Sequence, residues 1–246
     1  MTKCTEIRSK IARRIESQTR KALYEHDMLS CPKIAIALSG GKDSLTLLHM
    51  LKTISGRGFD PFDLHAIHVS GQFSCGASVA EGYLKEICEK LEIPLSIVES
   101  KQQNGPTGCY PCSRERRKLL FEVAKNNGYS QIAFGHHRED SIETLLLNLL
   151  HKGEFAANLA KLPMHAFGIT LIRPLIFVSE EEIRTFAVQN NFLRHMCQCP
   201  IGAISNRRTV KDLIQRLEAD FPNVRRNLEH ASHLYGSKKA LKSVVE

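Results

Sequence analysis

The six residues Ser39-Gly-Gly-Lys-Asp-Ser44 are the most restrictive feature of this sequence. They stand between a short apolar run at residues 33–38 and a helix-like stretch at 45–54. An apolar run of this length is typical of a buried strand in a parallel sheet. The two glycines allow a phosphate to approach the backbone closely, and the N-terminus of the next helix offers free N–H groups. The segment therefore predicts a phosphate-binding loop between a strand and a helix.

The side chains of this loop suit a nucleotide that carries Mg²⁺. Lys42 supplies a point charge, whereas the Asp43 carboxylate would repel a bare phosphate and fits best near Mg²⁺ bridging to the nucleotide. The loop is not the motif Gly, four residues, Gly-Lys-Ser/Thr, because Ile36 occupies its first glycine position. The predicted nucleotide-binding residues of the loop are Ser39, Gly40, Gly41, Lys42, Asp43 and Ser44.

Strand-like and helix-like patterns alternate along most of the chain. Helices are predicted at residues 6–26, 45–54, 77–91, 113–127 and 139–150, and further strands at 64–69, 95–98, 131–134 and 169–172. This order predicts an α/β fold with a doubly wound, mostly parallel sheet. Beyond residue 179 the pattern is helical, and Ser179-Glu-Glu-Glu182 has the form of a capping box. We therefore divide the chain into a basic N-terminal helix (1–30), an α/β ATP-binding domain (31–178) and a C-terminal helical region (179–246).

The composition narrows the class of partner and the compartment. The chain carries 34 Lys and Arg against 26 Asp and Glu, a net charge of +8 that favours a polyanion such as nucleic acid. It contains no run of eighteen apolar residues and no apolar signal segment, so we expect a cytoplasmic protein without a membrane partner. In a reducing compartment, paired cysteines more often bind metal or act in catalysis than form disulfides.

Two pairs of cysteines stand out among the eight in the sequence. Cys109-Tyr-Pro-Cys112 is followed at once by Ser-Arg-Glu-Arg-Arg117, and Cys197-Gln-Cys199 lies in the C-terminal region. Two intervening residues let both thiolates of the first pair face one metal ion or cluster. The remaining cysteines, Cys4, Cys31, Cys75 and Cys88, are interpreted as unligated thiols.

The glycine loop resembles the PP-loop of the N-type ATP pyrophosphatases, which cleave ATP to AMP and pyrophosphate and share the adenine nucleotide alpha hydrolase-like fold. Gly135-His136-His137 is similar to the Gly-His-His motif of the tRNA-modifying branch of that superfamily. The resemblance implies ATP and Mg²⁺ as cofactors, with Gly135 and His136 beside the nucleotide. It also implies catalytic roles for Lys42, Asp43 and Asp140.

A third motif, Cys-x-x-Cys-Ser-Arg-x-Arg-Arg, lies at residues 109–117. Together with the glycine loop and Gly-His-His, it resembles the tRNA 2-thiocytidine synthetase family, and the resemblance covers nearly the whole chain. In that family two cysteines of the first pair and one of the late pair hold a 4Fe–4S cluster, which implies Cys109 and Cys112 as metal ligands here. The third ligand is expected to be Cys199. Because this chain has Cys-Gln-Cys where the family has Cys-x-x-Cys, Cys197 stays an alternative, as does zinc in place of the cluster.

The resemblance implies ATP-dependent thiolation of a tRNA base. The enzyme would adenylate a base carbonyl, with C2 of a cytidine as the leading choice, and then transfer sulfur from a donor system such as a cysteine desulfurase. Basic segments near residues 8–20, 114–118 and 207–226 are the candidate tRNA surface, and a homodimer is left open. The two rival hypotheses are another PP-loop enzyme such as tRNA(Ile)-lysidine synthetase, and a catalytically inactive, metal-containing RNA-binding protein.

Overall fold

The computed structural model describes residues 9–71, 81–100, 109–192 and 206–236, with residues 109–112 described by their backbone alone. The strands are β1 (Lys33–Ala37), β2 (Asp63–Ser70), β3 (Leu95–Glu99), β4 (Gln131–Ala133), β5 (Lys161–Met164) and β6 (Ile169–Ile172). The helices are α1 (Lys10–Glu25), α2 (Lys42–Ile54), α3 (Glu81–Lys90), α4 (Cys109–Asn126), α5 (Arg138–Lys152), α6 (Glu180–Gln189), α7 (Asn206–Asp220) and α8 (Val224–Tyr235). A short 3₁₀ helix at His165–Phe167 precedes β6.

The six strands form one sheet in the order β3-β2-β1-β4-β6-β5. All neighbouring pairs are parallel except β5 with β6, which confirms the predicted mostly parallel sheet. From β1 the chain turns first toward β2 and β3 on one side, and later places β4 on the other side. The crevice beyond the carboxyl ends of β1 and β4 is therefore the topological switch point, where ligands of such sheets bind.

Both faces of the sheet are covered, as the doubly wound prediction requires. On one face Ile34 and Ile36 of β1 share a core with residues of α1, α2, α3 and α6. On the other face Ala35 of β1 and Ile132 of β4 pack with α4 residues such as Phe121. Successive strand residues point to opposite faces, so the unbroken apolar run of β1 follows from burial on both sides.

The C-terminal helices extend the domain beside α5. Val210 and Ile214 of α7 are buried against Ile142 of α5, with Leu228 of α8 packed on the same cluster. At the other end, Ile15 of α1 belongs to the main core, so the basic helix is anchored by its apolar face. The domain boundaries at residues 30 and 178 stay a prediction.

Two local predictions differ from the structure. The edge strand β5 was not predicted, because it has only four residues and contains Pro163, which a strand tolerates where one side lacks a partner. The helix predicted from residue 113 begins at Cys109 instead, so the Cys-x-x-Cys pair lies in the first turn of α4. Pro111 stands in this turn, where the missing N–H costs no helical hydrogen bond.

Candidate active site

The loop between β1 and α2 is held in shape by its own hydroxyl groups. Ser39 Oγ lies 3.1 Å from Ser44 Oγ and accepts a hydrogen bond from the Gly41 N–H at 3.3 Å. Ser44 Oγ also donates to the Gly41 carbonyl at 3.0 Å. Gly40 has a φ of +82°, a conformation that a residue with a side chain rarely adopts. Helix α2 starts directly after Gly41, so its free N–H groups face the crevice at the switch point.

The loop after β4 approaches this first loop as closely as two backbones can. A Cβ atom at Gly135 would lie 2.9 Å from the Asp43 carbonyl carbon and 3.0 Å from the Ser44 nitrogen. These are backbone atoms of the phosphate-binding loop, so they cannot rotate away as a side chain would. Gly135 is therefore required by the close contact between the two loops and not by an unusual φ angle.

Substitution of Gly135 by alanine should push these loops apart. We expect a loss of about 1–3 kcal/mol in the free energy of unfolding, the usual cost of overpacking, and ATP binding weakened by about tenfold. Urea denaturation and calorimetric titration with ATP measure the two effects. Gly82→Ala is the matched control, because a Cβ at that helical position meets no atom within 4 Å. Equal behaviour of the two variants would contradict the role of the contact.

His136 is held as a neutral ring that lines the site. Arg173 Nε donates a hydrogen bond of 3.2 Å to His136 Nδ1, and the ring stacks on Phe134 at a centroid distance of 5.7 Å. Burial, followed by the charge of Arg173, lowers the pKa of His136 to about 3. Because Nδ1 accepts, the ring hydrogen is on Nε2, and His136 can donate from that atom to an oxygen of a ligand.

His137 has the opposite electrostatic setting, since three carboxylates surround its buried ring. Nδ1 lies 3.3 Å from Glu139 Oε2, and Nε2 lies 3.5 Å from Asp140 Oδ2 and 3.8 Å from Asp43 Oδ1. Burial lowers the pKa of His137, but the close contact of its Nδ1 with the accepting Glu139 carboxylate and the three negative charges outweigh it, and the pKa is raised. The backbone N–H of His137 also donates a hydrogen bond to Asp140 Oδ2 at 3.0 Å. His137 thus links the Asp43 and Asp140 carboxylates.

Glu139 makes the stability of this site depend on acidity. Burial opposes its ionisation, yet the His137 hydrogen bond, Arg138 and the Glu180 N–H together lower the pKa of Glu139 from 4.5 to about 2. A lowered pKa in the folded protein means that stability is present above pH 4.5 and is lost as the pH falls toward 2. In the wild type, ionisation of Glu139 should contribute on the order of 3 kcal/mol to the free energy of unfolding at neutral pH. We expect Glu139→Gln to lack this contribution and its dependence on pH.

Urea unfolding between pH 2.5 and about 5 measures this prediction. The slope of unfolding free energy against pH should be flatter in Glu139→Gln than in the wild type, while Glu122→Gln on the exposed surface of α4 should keep the wild-type slope. Parallel curves for the wild type and Glu139→Gln would be incompatible with a strongly ionised buried carboxylate.

A cavity of about 470 Å³ opens at the switch point between these loops. Its lining has two chemical parts, which suit the two parts of a nucleotide. Part of the lining is apolar and comes from β2 and α4, with Ile67, Val69 and Leu120 among its residues. Guanidinium groups from three parts of the chain, Arg116, Arg117, Arg173 and Arg207, together with the loop N–H groups, suit a polyanion.

Five of the eight predicted nucleotide-binding residues line this one cavity, namely Ser39, Asp43, Ser44, Gly135 and His136, and the predicted catalytic residue Asp140 lines it as well. Gly40, Gly41 and Lys42 belong to the loop that borders it. Cys109 and Cys112 stand three positions apart at the start of α4, and the next residues of that helix, Ser113 and Arg116, line the cavity. Cys197 and Cys199 lie outside the described residues.

Several residues of the cavity were not predicted to belong to it. Arg207 of α7 reaches Asp140 Oδ1 at 3.0 Å, although its sequence position indicated only a basic surface. Arg173 directly follows the strand predicted at residues 169–172, and its contacts with His136 and the Leu159 carbonyl depend on the folded structure. The charge of a residue that follows a strand, as Arg173 follows β6, is the one signal that could have indicated the site.

The side chains described in the structure include no group of three or more His, Cys, Asp or Glu arranged to hold a metal ion. Asp43 and Asp140 are the two carboxylates that line the cavity, and both contact His137 Nε2. Two carboxylates next to bound phosphates are the usual protein contribution to a Mg²⁺ site. Within the described ranges, none of the helices is long and apolar enough to span a bilayer.

Comparison with known proteins places this geometry in a family. A model of the PP-loop domain matches residues 8–195. The tRNA-cytidine(32) 2-sulfurtransferase of Citrifermentans bemidjiense is 36% identical over 224 residues, which cover 87% of this chain and 88% of that protein. The protein of the same name from Syntrophotalea carbinolica is 34% identical over 230 residues, 90% of this chain and 89% of its own length.

The fold also matches a solved structure. The U34-tRNA thiolase NcsA from Methanococcus maripaludis, determined with its 4Fe–4S cluster, superposes with a TM-score of 0.75 over 92% of this chain and 79% of that one. The sequence identity between the two is 23%, so this likeness is one of fold.

Proposed function

This chain belongs to the PP-loop family and groups with the tRNA-cytidine(32) 2-sulfurtransferases, and on that basis we propose that it is an ATP-dependent tRNA sulfurtransferase. Its substrate is a cytidine in tRNA, with C2 as the reacting carbon. The observation that carries the proposal is that α4 starts with Cys109 and Cys112 and then lines the cavity of the phosphate-binding loop. The helix that carries the first pair of proposed cluster ligands thus also contributes to the cavity in which ATP would activate the base.

In the first step the base carbonyl oxygen attacks the α-phosphorus of ATP, the bond from that phosphorus to the bridging oxygen breaks, and pyrophosphate leaves. The negative charge that develops on the phosphate oxygens is stabilised by Lys42, by the N–H groups at the start of α2 and by the cavity guanidinium groups. Ser39 and Ser44 shape the loop, and His136 donates a hydrogen bond from Nε2 to an oxygen of the bound nucleotide. The product of this step is the adenylated base.

In the second step a sulfur nucleophile attacks C2 of the adenylated cytidine. The bond from C2 to the former carbonyl oxygen breaks, and AMP departs with that oxygen. The donor set for the sulfur-bearing group is Cys109, Cys112 and Cys199, with Cys197 as the alternate ligand. When bound there, a 4Fe–4S cluster with three cysteine ligands leaves one iron free to hold sulfide. The proposed source of that sulfide is the persulfide of a cysteine desulfurase, from which a thiol reductant supplies the two electrons that release it as sulfide.

Mg²⁺ fits the cavity through Asp43 and Asp140. Both carboxylates line the cavity and contact the same nitrogen of His137, which brings them together at the mouth of the phosphate-binding loop. The ion neutralises the phosphates that these carboxylates would otherwise repel. Burial raises the pKa of Asp140, but the charge of His137, the hydrogen bond from the His137 backbone N–H and the charge of Arg207 outweigh it, so the pKa is lowered and the carboxylate is ionised and available to a cation.

The experiment that tests this function uses the wild-type protein purified without oxygen. Incubation with ATP, Mg²⁺, a sulfide source and tRNA should produce 2-thiocytidine, detected by mass spectrometry of the digested tRNA, with one AMP formed per thiolated base. Iron and acid-labile sulfide should each approach about four per chain. ATP cleavage with another modified base would make a different PP-loop tRNA enzyme the better description, and tRNA binding without ATP cleavage would indicate an inactive binding protein.

A further inference from the structure

The Glu180 carboxylate lies between the lysine of the phosphate-binding loop and a lysine of α7. Glu180 Oε2 is 2.6 Å from Lys211 Nζ, and Glu180 Oε1 is 3.5 Å from Lys42 Nζ. Lys42 also contacts Asp43 Oδ1 at 2.7 Å. The loop ammonium therefore has two carboxylates beside it, and one of these is shared with another cation.

The position of Glu180 is fixed by its backbone, and its side chain is largely buried. It is the first residue of α6, and its N–H donates a hydrogen bond of 2.8 Å to Glu139 Oε2. Its side chain is only 20% exposed. Arg184 also reaches Glu180 Oε1, but at 3.7 Å and with a side chain that is 64% exposed, so solvent weakens that contact.

Lys211 is held opposite Glu180 by the core of α7. Val210, its neighbour in the chain, and Ile214 are buried against Ile142 of α5. The first turn of the same helix directs Arg207 to Asp140. Four positions separate Arg207 from Lys211, so both cations lie on the face of α7 that is turned to the nucleotide site.

A carboxylate next to Lys42 competes with a nucleotide for that ammonium group. When ATP enters the cavity, its phosphate oxygens must replace Glu180 as the partner of the Lys42 ammonium group or bind that group together with Glu180. The strength of the competition depends on how well the Glu180 charge is satisfied elsewhere, and the 2.6 Å contact from Lys211 is the shortest that Glu180 makes to a cation among the described residues.

We propose that Lys211 is a positioning residue for ATP binding, which by pairing with Glu180 leaves Lys42 available to the nucleotide phosphates. The inference rests on the proposed function to the extent that ATP occupies the loop at residues 39–44. It adds to that function a control of nucleotide affinity by α7, a helix whose first residue follows directly on the segment that contains Cys197 and Cys199.

Calorimetric titration of the purified full chain with Mg²⁺ and ATP tests the inference. Lys211→Met should weaken ATP binding by about twofold to fivefold, as expected for a partly exposed ion pair, and Lys211→Arg should restore it. Glu180→Gln removes the competing charge and should tighten binding by a similar factor. Arg216→Met is the matched control, since it removes one exposed positive charge from the same helix at a position that makes no ion pair to the described residues.

The double variant Glu180→Gln/Lys211→Met separates this mechanism from a general effect of charge. If Lys211 acts through Glu180, the double variant binds ATP as tightly as Glu180→Gln alone. If each charge acts independently across the cavity, the two effects cancel and the wild-type affinity returns, which overturns the inference. Circular dichroism verifies that each variant is folded.

The failure of this inference is distinguishable from the failure of the proposed function. Absence of ATP binding by the wild-type chain would contradict the function itself. Normal ATP binding by the wild type together with unchanged affinity in Lys211→Met and Glu180→Gln would contradict only the role of Lys211.

Discussion

Replacement of Lys42 by methionine should reduce the rate of ATP-dependent tRNA thiolation by at least about 100-fold. Lys42 is the first residue of α2, and its ammonium group lies at the edge of the loop that receives the phosphates. Methionine has nearly the same length and packs in the same space, so the variant loses the charge and little else. Single-turnover formation of 2-thiocytidine at saturating ATP isolates the effect on the chemical step from the effect on binding.

Lys52→Met is the matched control for this variant. Lys52 lies on the same helix, and its ammonium is 3.8 Å from the exposed Glu92 at the far end from the site. We expect the control to thiolate tRNA at the wild-type rate. A Lys42→Met enzyme as fast as that control would show that the adenylation step does not use this lysine.

Substitution of Cys109 by alanine should abolish both the iron content and thiolation, while ATP binding persists. A cubane cluster held by three thiolates cannot lose one ligand without losing stability, whereas the phosphate-binding loop and the loop of Gly135 and His136 lie on other elements than Cys109. Cys112→Ala and Cys199→Ala should behave in the same way, and Cys197→Ala should keep its iron. Anaerobic purification with iron analysis and absorption spectra measures the first effect, and calorimetry with ATP measures the second.

Two controls define the outcomes of this cysteine series. Cys31→Ala should retain full iron, because Cys31 lies before β1, where its sulfur contacts the Ser130 hydroxyl. Cys88→Ala should do so as well, since burial raises the pKa of the Cys88 thiol to about 11 and the thiol stays protonated. Loss of iron in Cys197→Ala with retention in Cys199→Ala would exchange the two late ligands. Zinc in place of iron would contradict sulfur transfer through a cluster.

Much of the fold was predictable because burial leaves a simple pattern in the sequence. β1 and β6 are short apolar runs between turn residues, and the capping box predicted at Ser179 is formed, with Ser179 Oγ accepting from the Glu182 N–H at 3.2 Å. β5 escaped prediction because an antiparallel edge strand of four residues with a proline has neither length nor alternation. The start of α4 lies four residues before the predicted one, because a helix tolerates a proline such as Pro111 in its first turn.

The site was predictable as a set of segments but not as a set of contacts. The glycine loop and Gly-His-His could be recognised, because close approach to phosphate demands particular residues at particular spacings. The close approach of Gly135 to the Asp43 backbone leaves only 2.9 Å between a Cβ placed at Gly135 and the Asp43 carbonyl carbon. This approach and the position of Lys211 opposite Glu180 both depend on how distant elements pack. No local pattern encodes such contacts, since each partner alone resembles an ordinary turn or surface residue.

The contact of Gly135 with Asp43 also has a consequence for the order in which the molecule is assembled. The two loops are separated by β2, α3, β3 and α4, and they meet only when β4 has paired with β1. Closing so long a loop is entropically expensive and makes such contacts late events in folding. During synthesis the nascent chain therefore exposes its phosphate-binding loop long before its second half exists. A nucleotide that binds across both loops should therefore stabilise the form of the chain in which β1 and β4 are paired.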